Sequence, residues 1–230
     1  MSNSSLISYT KISPNSSNPR SGIISKITIH HMAGNLTIEQ CGEVFAPASR
    51  SASSNYGIGS DGRIGMYVEE KNRAWTSGNS KNDNVAITIE VANDEIGGEW
   101  HVSSEALNSL IKLCADICLR NGIERLIFTG DESGNLTMHK YFKPTACPGP
   151  YLESKFGYIA SEVNKIILQK QEENYMKFKD VAETHWAAKA IDELSEKGII
   201  KGYEDGTFRP DEPISRAEVA VMLSRVMEVK

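Results

Sequence analysis

Ile23-Ile24-Ser25-Lys26-Ile27-Thr28-Ile29-His30-His31 is a run of β-branched residues with an alternating pattern, closed by two adjacent histidines. Such a pattern predicts a strand that delivers His30 and His31 to its carboxyl end. Successive strand residues face opposite sides, so one of the two histidines can reach a shared site and the other cannot; spacing alone does not choose between them.

Working outward, Thr37 and Gln40 have the spacing of a capping box and predict a short helix through Val44. Two strand-like pieces over residues 56–68 flank Asp61-Gly62, a dipeptide suited to a hairpin. Residues 85–92 read as a buried strand. Ser103 or Ser104 caps a helix with Leu107, Leu110, Ile111, Cys114, Ile117 and Cys118 on one face, ended by Gly122. Residues 126–129 read as a further strand, followed by a Gly-rich loop to His139. Strands alternating with helices predict an α/β fold, a mixed central sheet flanked by helices. Residues 1–22, polar and interrupted by Pro14 and Pro19, read as an arm that contributes little core. Residues 151–171 read as helical, residues 169–174 as a polar tether, and a new domain begins near Met176. The expected organisation is an arm at 1–22, a catalytic domain at 23–158, a helical linker at 159–175 and a small, mainly helical module at 176–230.

The chain of 230 residues, 40% hydrophobic and 24% charged, has room for one good core and a smaller second one. A net charge of −5 argues against nucleic acid as partner, because phosphate neutralisation needs a concentrated basic face. No apolar run is long enough to span a bilayer. The four cysteines, Cys41, Cys114, Cys118 and Cys147, are too scattered for the disulfide framework of a small scaffold.

His30 or His31, then His139 and Cys147, offer nitrogen and sulfur donors of the kind zinc takes. Residues 139–149 (His-Lys-Tyr-Phe-Lys-Pro-Thr-Ala-Cys-Pro-Gly) resemble the metal loop of type 2 N-acetylmuramoyl-L-alanine amidases, a group with many phage endolysins and the catalytic peptidoglycan recognition proteins. Residues 27–34 look like that family's first metal strand, 55–64 like its hairpin, 74–78 like its Trp-containing turn, and 85–93, with Ile89-Glu90-Val91, like the strand of the catalytic glutamate. The resemblance implies zinc held by His30, His139 and Cys147, with Glu90 as general base and Thr145 helping to stabilise the oxyanion. It implies hydrolysis of the amide between N-acetylmuramic acid and L-alanine in peptidoglycan. Thr76 stands where many relatives carry a histidine, and Ser54 where another branch places a catalytic tyrosine.

Phe178-Lys179-Asp180-Val181, His185-Trp186, residues 200–203, residues 205–210 and Ser215-Arg216-Ala217-Glu218 together resemble one S-layer homology repeat. The resemblance implies binding of an acidic secondary wall polysaccharide through Arg216, with Asp180 and Trp186 as further contacts. Thr184 reads as the cap of a helix with Trp186, Ile191 and Leu194 inward, and Ser215 with Glu218 as the capping box of the last helix. A lone repeat has little core of its own, so a homotrimer supplying three copies is expected. The amino terminus lacks the apolar segment of a signal peptide. The expectation is therefore an endolysin made in the bacterial cytoplasm that reaches the wall through a membrane pore. The alternatives are a host autolysin with the same chemistry and a peptidoglycan binder without turnover. A glycosidase would need two flanking carboxylates, and nothing picks out a partner for Glu90.

Overall fold

The structure, a computed structural model, describes residues 2–175, 178–182 and 184–228. It divides into two compact units, residues 1–167 and 168–230.

The first unit is built on a six-stranded mixed sheet in the order β1-β5-β4-β7-β3-β8. The central strand β3 (Lys26–His31) lies parallel to β7 (Ala86–Val91) on one side and to β8 (Leu136–Met138) on the other. β4 (Tyr56–Ile58) runs parallel to β7 and forms the expected hairpin with β5 (Ile64–Met66), and Gly62 supplies the positive φ (+79°) that the turn needs. β1 (Tyr9–Thr10) completes the edge beside β5, and β2 (Ser16–Ser17) pairs with β6 (Arg73–Ala74) in a separate ribbon.

Alternation along the strands sorts the two faces. Ile27, Ile29, Ile87, Ile89, Val91, Leu136 and Met138 form a fully buried layer. Covering it are Leu110, Cys114 and Ile117 of α3 (Ser104–Arg120) and Phe156, Ile159 and Val163 of α4 (Pro150–Tyr175). The α3 apolar face is the one the sequence predicts, and Ser103 is the residue that caps it, accepting from the Ala106 N–H at 3.1 Å. The other face carries Thr28, Thr88 and Thr137, all buried and hydrogen-bonded. Near this face lies α1 (Ile38–Phe45), opened by the predicted capping box of Thr37 and Gln40.

Three expectations are corrected. The segment 1–22 is no loose arm: Ser4, Ser13, Asn15 and Arg20 are buried, and β1 extends the sheet. Arg20 donates to the carbonyls of Glu70, Asn72, Asn84 and Ala86 at 2.7 to 3.2 Å, so a polar segment is anchored by hydrogen bonds rather than by apolar packing. Residues 126–129 do not form a strand. The Asn164 side chain takes both the N–H and the carbonyl of Leu126, at 2.8 and 2.9 Å, which removes them from any ladder. The strand falls instead at Leu136–Met138, within the predicted loop. Ile159, Val163 and Ile167 lie in the first unit's core, so the helix over 159–167 belongs to that core rather than to a linker.

In the second unit Phe178, Val181, Ala188, Ile191, Ile199 and Ile200 are buried together around α5 (Ala188–Glu196) and α6 (Arg216–Glu228). The Ser215–Glu218 capping box is present in both directions. Ala187, not Thr184, precedes α5, and Trp186 lies outside the helix with 88% of its surface exposed, so its inward packing is also corrected. The expected boundary residue Met176 lies outside the described residues.

Candidate metal centre

Sheet register assembles most of the site. β3 and β7 pair with His30 directly beside Glu90, and β3 and β8 pair with Ile29 beside Met138, so His139 emerges next to His30. By period-two alternation His30, Glu90 and His139 share the face of Thr28, Thr88 and Thr137. The His30 and His139 rings lie 4.5 Å apart between centroids, and His30 Nδ1 lies 4.0 Å from Glu90 Oε1.

Cys147 arrives on a closed loop. Lys143 N–H and Phe142 N–H turn back on the His139 carbonyl, Lys140 N–H donates to the Cys147 carbonyl, and Gly149 N–H closes on Ala146. The sulfur accepts a hydrogen bond from the His31 main-chain N–H at 3.4 Å. One ligand atom from each of His30, His139 and Cys147 fits within 4.8 Å of the others. Of the two adjacent histidines it is His30 whose ring nitrogen falls within this group, while the His31 ring stands edge-on to Trp100.

The donors are chemically suited to a metal ion. His30 Nε2 and His139 Nε2 are buried nitrogens without a hydrogen-bond partner. Burial lowers the proton affinity of both rings, keeping them neutral with a lone pair free. Burial and the neighbouring Glu90 push the Cys147 thiol up, a penalty that a cation between them relieves. Two imidazoles and one thiol form a three-residue set of the type that leaves a fourth position open.

These residues open onto a cavity of about 360 Å³ that also exposes Arg50, Trp75, Thr76, Glu90 and Thr145. Glu90 is largely buried, with Oε2 unpartnered, and burial pushes its carboxyl up to about 8 against the opposing pull of Arg50. Arg50 carries no sequence signal, because it reaches the cavity from a 3-10 turn (Ala48–Arg50) remote from every motif. Thr145 Oγ1 accepts from the Cys147 N–H at 3.2 Å, and the side chain borders the cavity. Thr76 gives its hydroxyl proton to the Ser53 carbonyl or shares it with Thr88, while Ser54 is wholly buried against the β7 main chain.

In the second unit Asp180 uses both carboxylate oxygens to hold the N–H groups of Phe208 and Arg209, each at 2.7 Å. Arg216 is exposed at the start of α6, and the Trp186 ring lies 5.8 Å from that of His185.

The N-acetylmuramoyl-L-alanine amidase family matches residues 19–150, and the S-layer homology domain matches residues 177–220. Cell surface glycoprotein 1 of Acetivibrio thermocellus is 52% identical over 54 residues, covering 23% of this chain and 2% of that protein. The cellulosome-anchoring protein of the same organism is 47% identical over 51 residues, covering 22% of this chain and 11% of its own length. The chain thus spans a small fraction of these curated relatives. Among solved structures, PlyL superposes with a TM-score of 0.53 at 16% identity, covering 67% of this chain and 95% of its own. The endolysin N-acetylmuramoyl-L-alanine amidase LysCS from Clostridium intestinale does so with a TM-score of 0.51 at 22% identity, covering 69% and 93%. At these identities the likeness is one of fold.

Proposed function

The chain belongs to the N-acetylmuramoyl-L-alanine amidase family, and from that premise we propose that it is a zinc-dependent endolysin that cleaves the amide between N-acetylmuramic acid and L-alanine. The observation that carries this reading is the convergence of His30, His139 and Cys147 donor atoms within 4.8 Å, with Glu90 on the adjacent strand. His30, His139 and Cys147 would hold the ion. Zinc, when bound, polarises the scissile carbonyl and makes a nearby water more acidic.

The protein's own groups supply the remaining chemistry. Glu90 takes the proton of the attacking water as that water adds to the carbonyl carbon, then passes it to the departing amine of L-alanine. A divalent cation and Arg50 both favour the ionised carboxylate this needs, against the burial that otherwise keeps it protonated. The Thr145 hydroxyl, whose oxygen is engaged by the Cys147 N–H, has its proton free to donate to the developing oxyanion.

The second unit would bind an acidic wall polysaccharide. Arg216 offers a two-pronged donor for a carboxylate, and Trp186 an exposed ring for a sugar face. Asp180 would then act by shaping the loop of Phe208 and Arg209. Three chains would contribute three modules to one assembly, since α6 leaves Val219, Leu223, Val226 and Met227 substantially exposed. Sedimentation showing monomers with a folded module would sink the trimer.

Purified walls treated with native, chelated and Glu90→Ala protein test the activity. New amino termini without new reducing ends, lost on chelation and on substitution, are expected. Reducing ends that survive chelation would refute the amidase reading.

A further inference from the structure

Trp100 is a bulky residue held in left-handed backbone, φ +56°, a conformation that β-carbon-bearing residues adopt only when their surroundings impose it. The surroundings are specific. Its N–H closes on the Gly97 carbonyl at 2.9 Å, and its carbonyl accepts from Asn93 Nδ2 at 2.8 Å. Asp94 N–H reaches the His101 carbonyl at 3.1 Å, and the two side chains meet at 2.7 Å, which clamps the base of the loop 94–101.

Trp100 is not among the residues that border the cavity, whereas His31 is. The indole stands edge-on to the His31 ring, 5.2 Å between centroids. Gly149 fits against both: a β-carbon there would come within 3.0 Å of Trp100 Cβ and 3.3 Å of His31 Nδ1. The same loop grips the chain just beyond, because Tyr151 N–H donates to the Glu99 carbonyl at 3.0 Å. Gly149 in turn closes the turn on Ala146 that carries Cys147, whose sulfur meets the His31 N–H.

His30 lies in β3 and His139 directly follows β8, whereas Cys147 belongs to a loop outside any strand. We propose that Trp100 is a positioning residue for the metal centre: with the His31 ring it forms a wall against which the Gly149 turn closes, presenting the Cys147 sulfur to His30 and His139. The inference rests on the reading of those three residues as zinc ligands. The Gly149 turn meets the Trp100 Cβ and the His31 ring, and the indole completes the wall by standing edge-on to that ring.

Backbone strain provides a discriminating variant. Trp100→Gly removes the wall and also relieves the left-handed backbone, so its effects on fold and on metal oppose each other. Full-length wild type, Trp100→Gly and Trp100→Phe are compared by zinc(II) affinity in competition with a chromophoric chelator, and by the thermal midpoint of the metal-free protein. The expected result is zinc affinity weakened on the order of ten-fold or more for Trp100→Gly, as for other residues that orient metal ligands. Its metal-free midpoint stays at or above wild type, and Trp100→Phe, which keeps an aromatic wall, recovers most of the affinity. Equal affinity of Trp100→Gly and wild type would overturn the proposal. So would an affinity loss that only follows a lowered metal-free midpoint, or a Phe variant as weak as the Gly variant. Wild-type protein that takes up no zinc at all would instead refute the metal centre itself, and the wall with it.

Discussion

Glu90→Gln places a neutral isostere where the structure buries a carboxyl group, and its consequence can be worked through. Burial carries Glu90 from its ordinary 4.5 to about 8, so between those values the folded protein holds a proton that the unfolded chain has released. More protons bound in the folded state means that stability falls as pH rises through that window. At pH 7 about 2.5 pH units of the window have been crossed, which at about 1.4 kcal/mol per unit costs the metal-free protein about 3 kcal/mol. Glutamine does not titrate and escapes that cost. Chelated Glu90→Gln protein should therefore be about 3 kcal/mol more stable than wild type at pH 7 and indistinguishable from it near pH 4. With zinc loaded the advantage should shrink, because the cation favours the carboxylate. Urea unfolding in a Trp186→Phe background reads the first unit alone, through Trp75 and Trp100 fluorescence. A Gln variant equal to or weaker than wild type at pH 7, or a gain unchanged between pH 4 and 7, would refute the argument.

Removing zinc with a chelator should abolish wall hydrolysis and its readdition restore it, whereas Cys147→Ser should lose at least about 100-fold in activity with the far-ultraviolet spectrum unchanged. Arg20→Met should cost about 2–4 kcal/mol in denaturant unfolding, because it strands the carbonyls of Glu70, Asn72, Asn84 and Ala86 in a buried setting. Asp180→Ala and Arg216→Ala should separate on the second unit. The first releases the N–H groups of Phe208 and Arg209 and lowers the module's thermal midpoint, while the second leaves the midpoint in place and weakens sedimentation with purified walls.

What could be read from sequence follows from which interactions are local. The capping boxes of Thr37 and Ser215, the α3 stripe and the hairpin at Gly62 depend on neighbours a few residues apart, and each stands where the pattern predicts. The bracketing of Leu126 by Asn164 and the anchoring of residues 1–22 by Arg20 cross 38 and 50 or more residues, and no periodicity carries them. The same division holds in the site. His30, His139 and Cys147 stand out by residue type and by resemblance, and the structure brings them together. Arg50 comes from a three-residue 3-10 turn and Trp100 from a loop closed by Asn93 and Gly97, segments too short to carry a periodic pattern.

The pairing of β3 with β7 and β8 also dictates when the site can exist during synthesis. His30 and His139 become neighbours only after β8 has docked beside β3, a contact between residues such as Thr28 and Thr137 that spans 109 positions. Parallel strands so far apart in sequence close late, because loop entropy is lost before the contact returns anything. A nascent chain that has emerged only through α3 owns a single donor, His30, and a half-built sheet. The proposed metal centre is therefore timed by translation: it can assemble only once β8 and the loop of Cys147 have emerged.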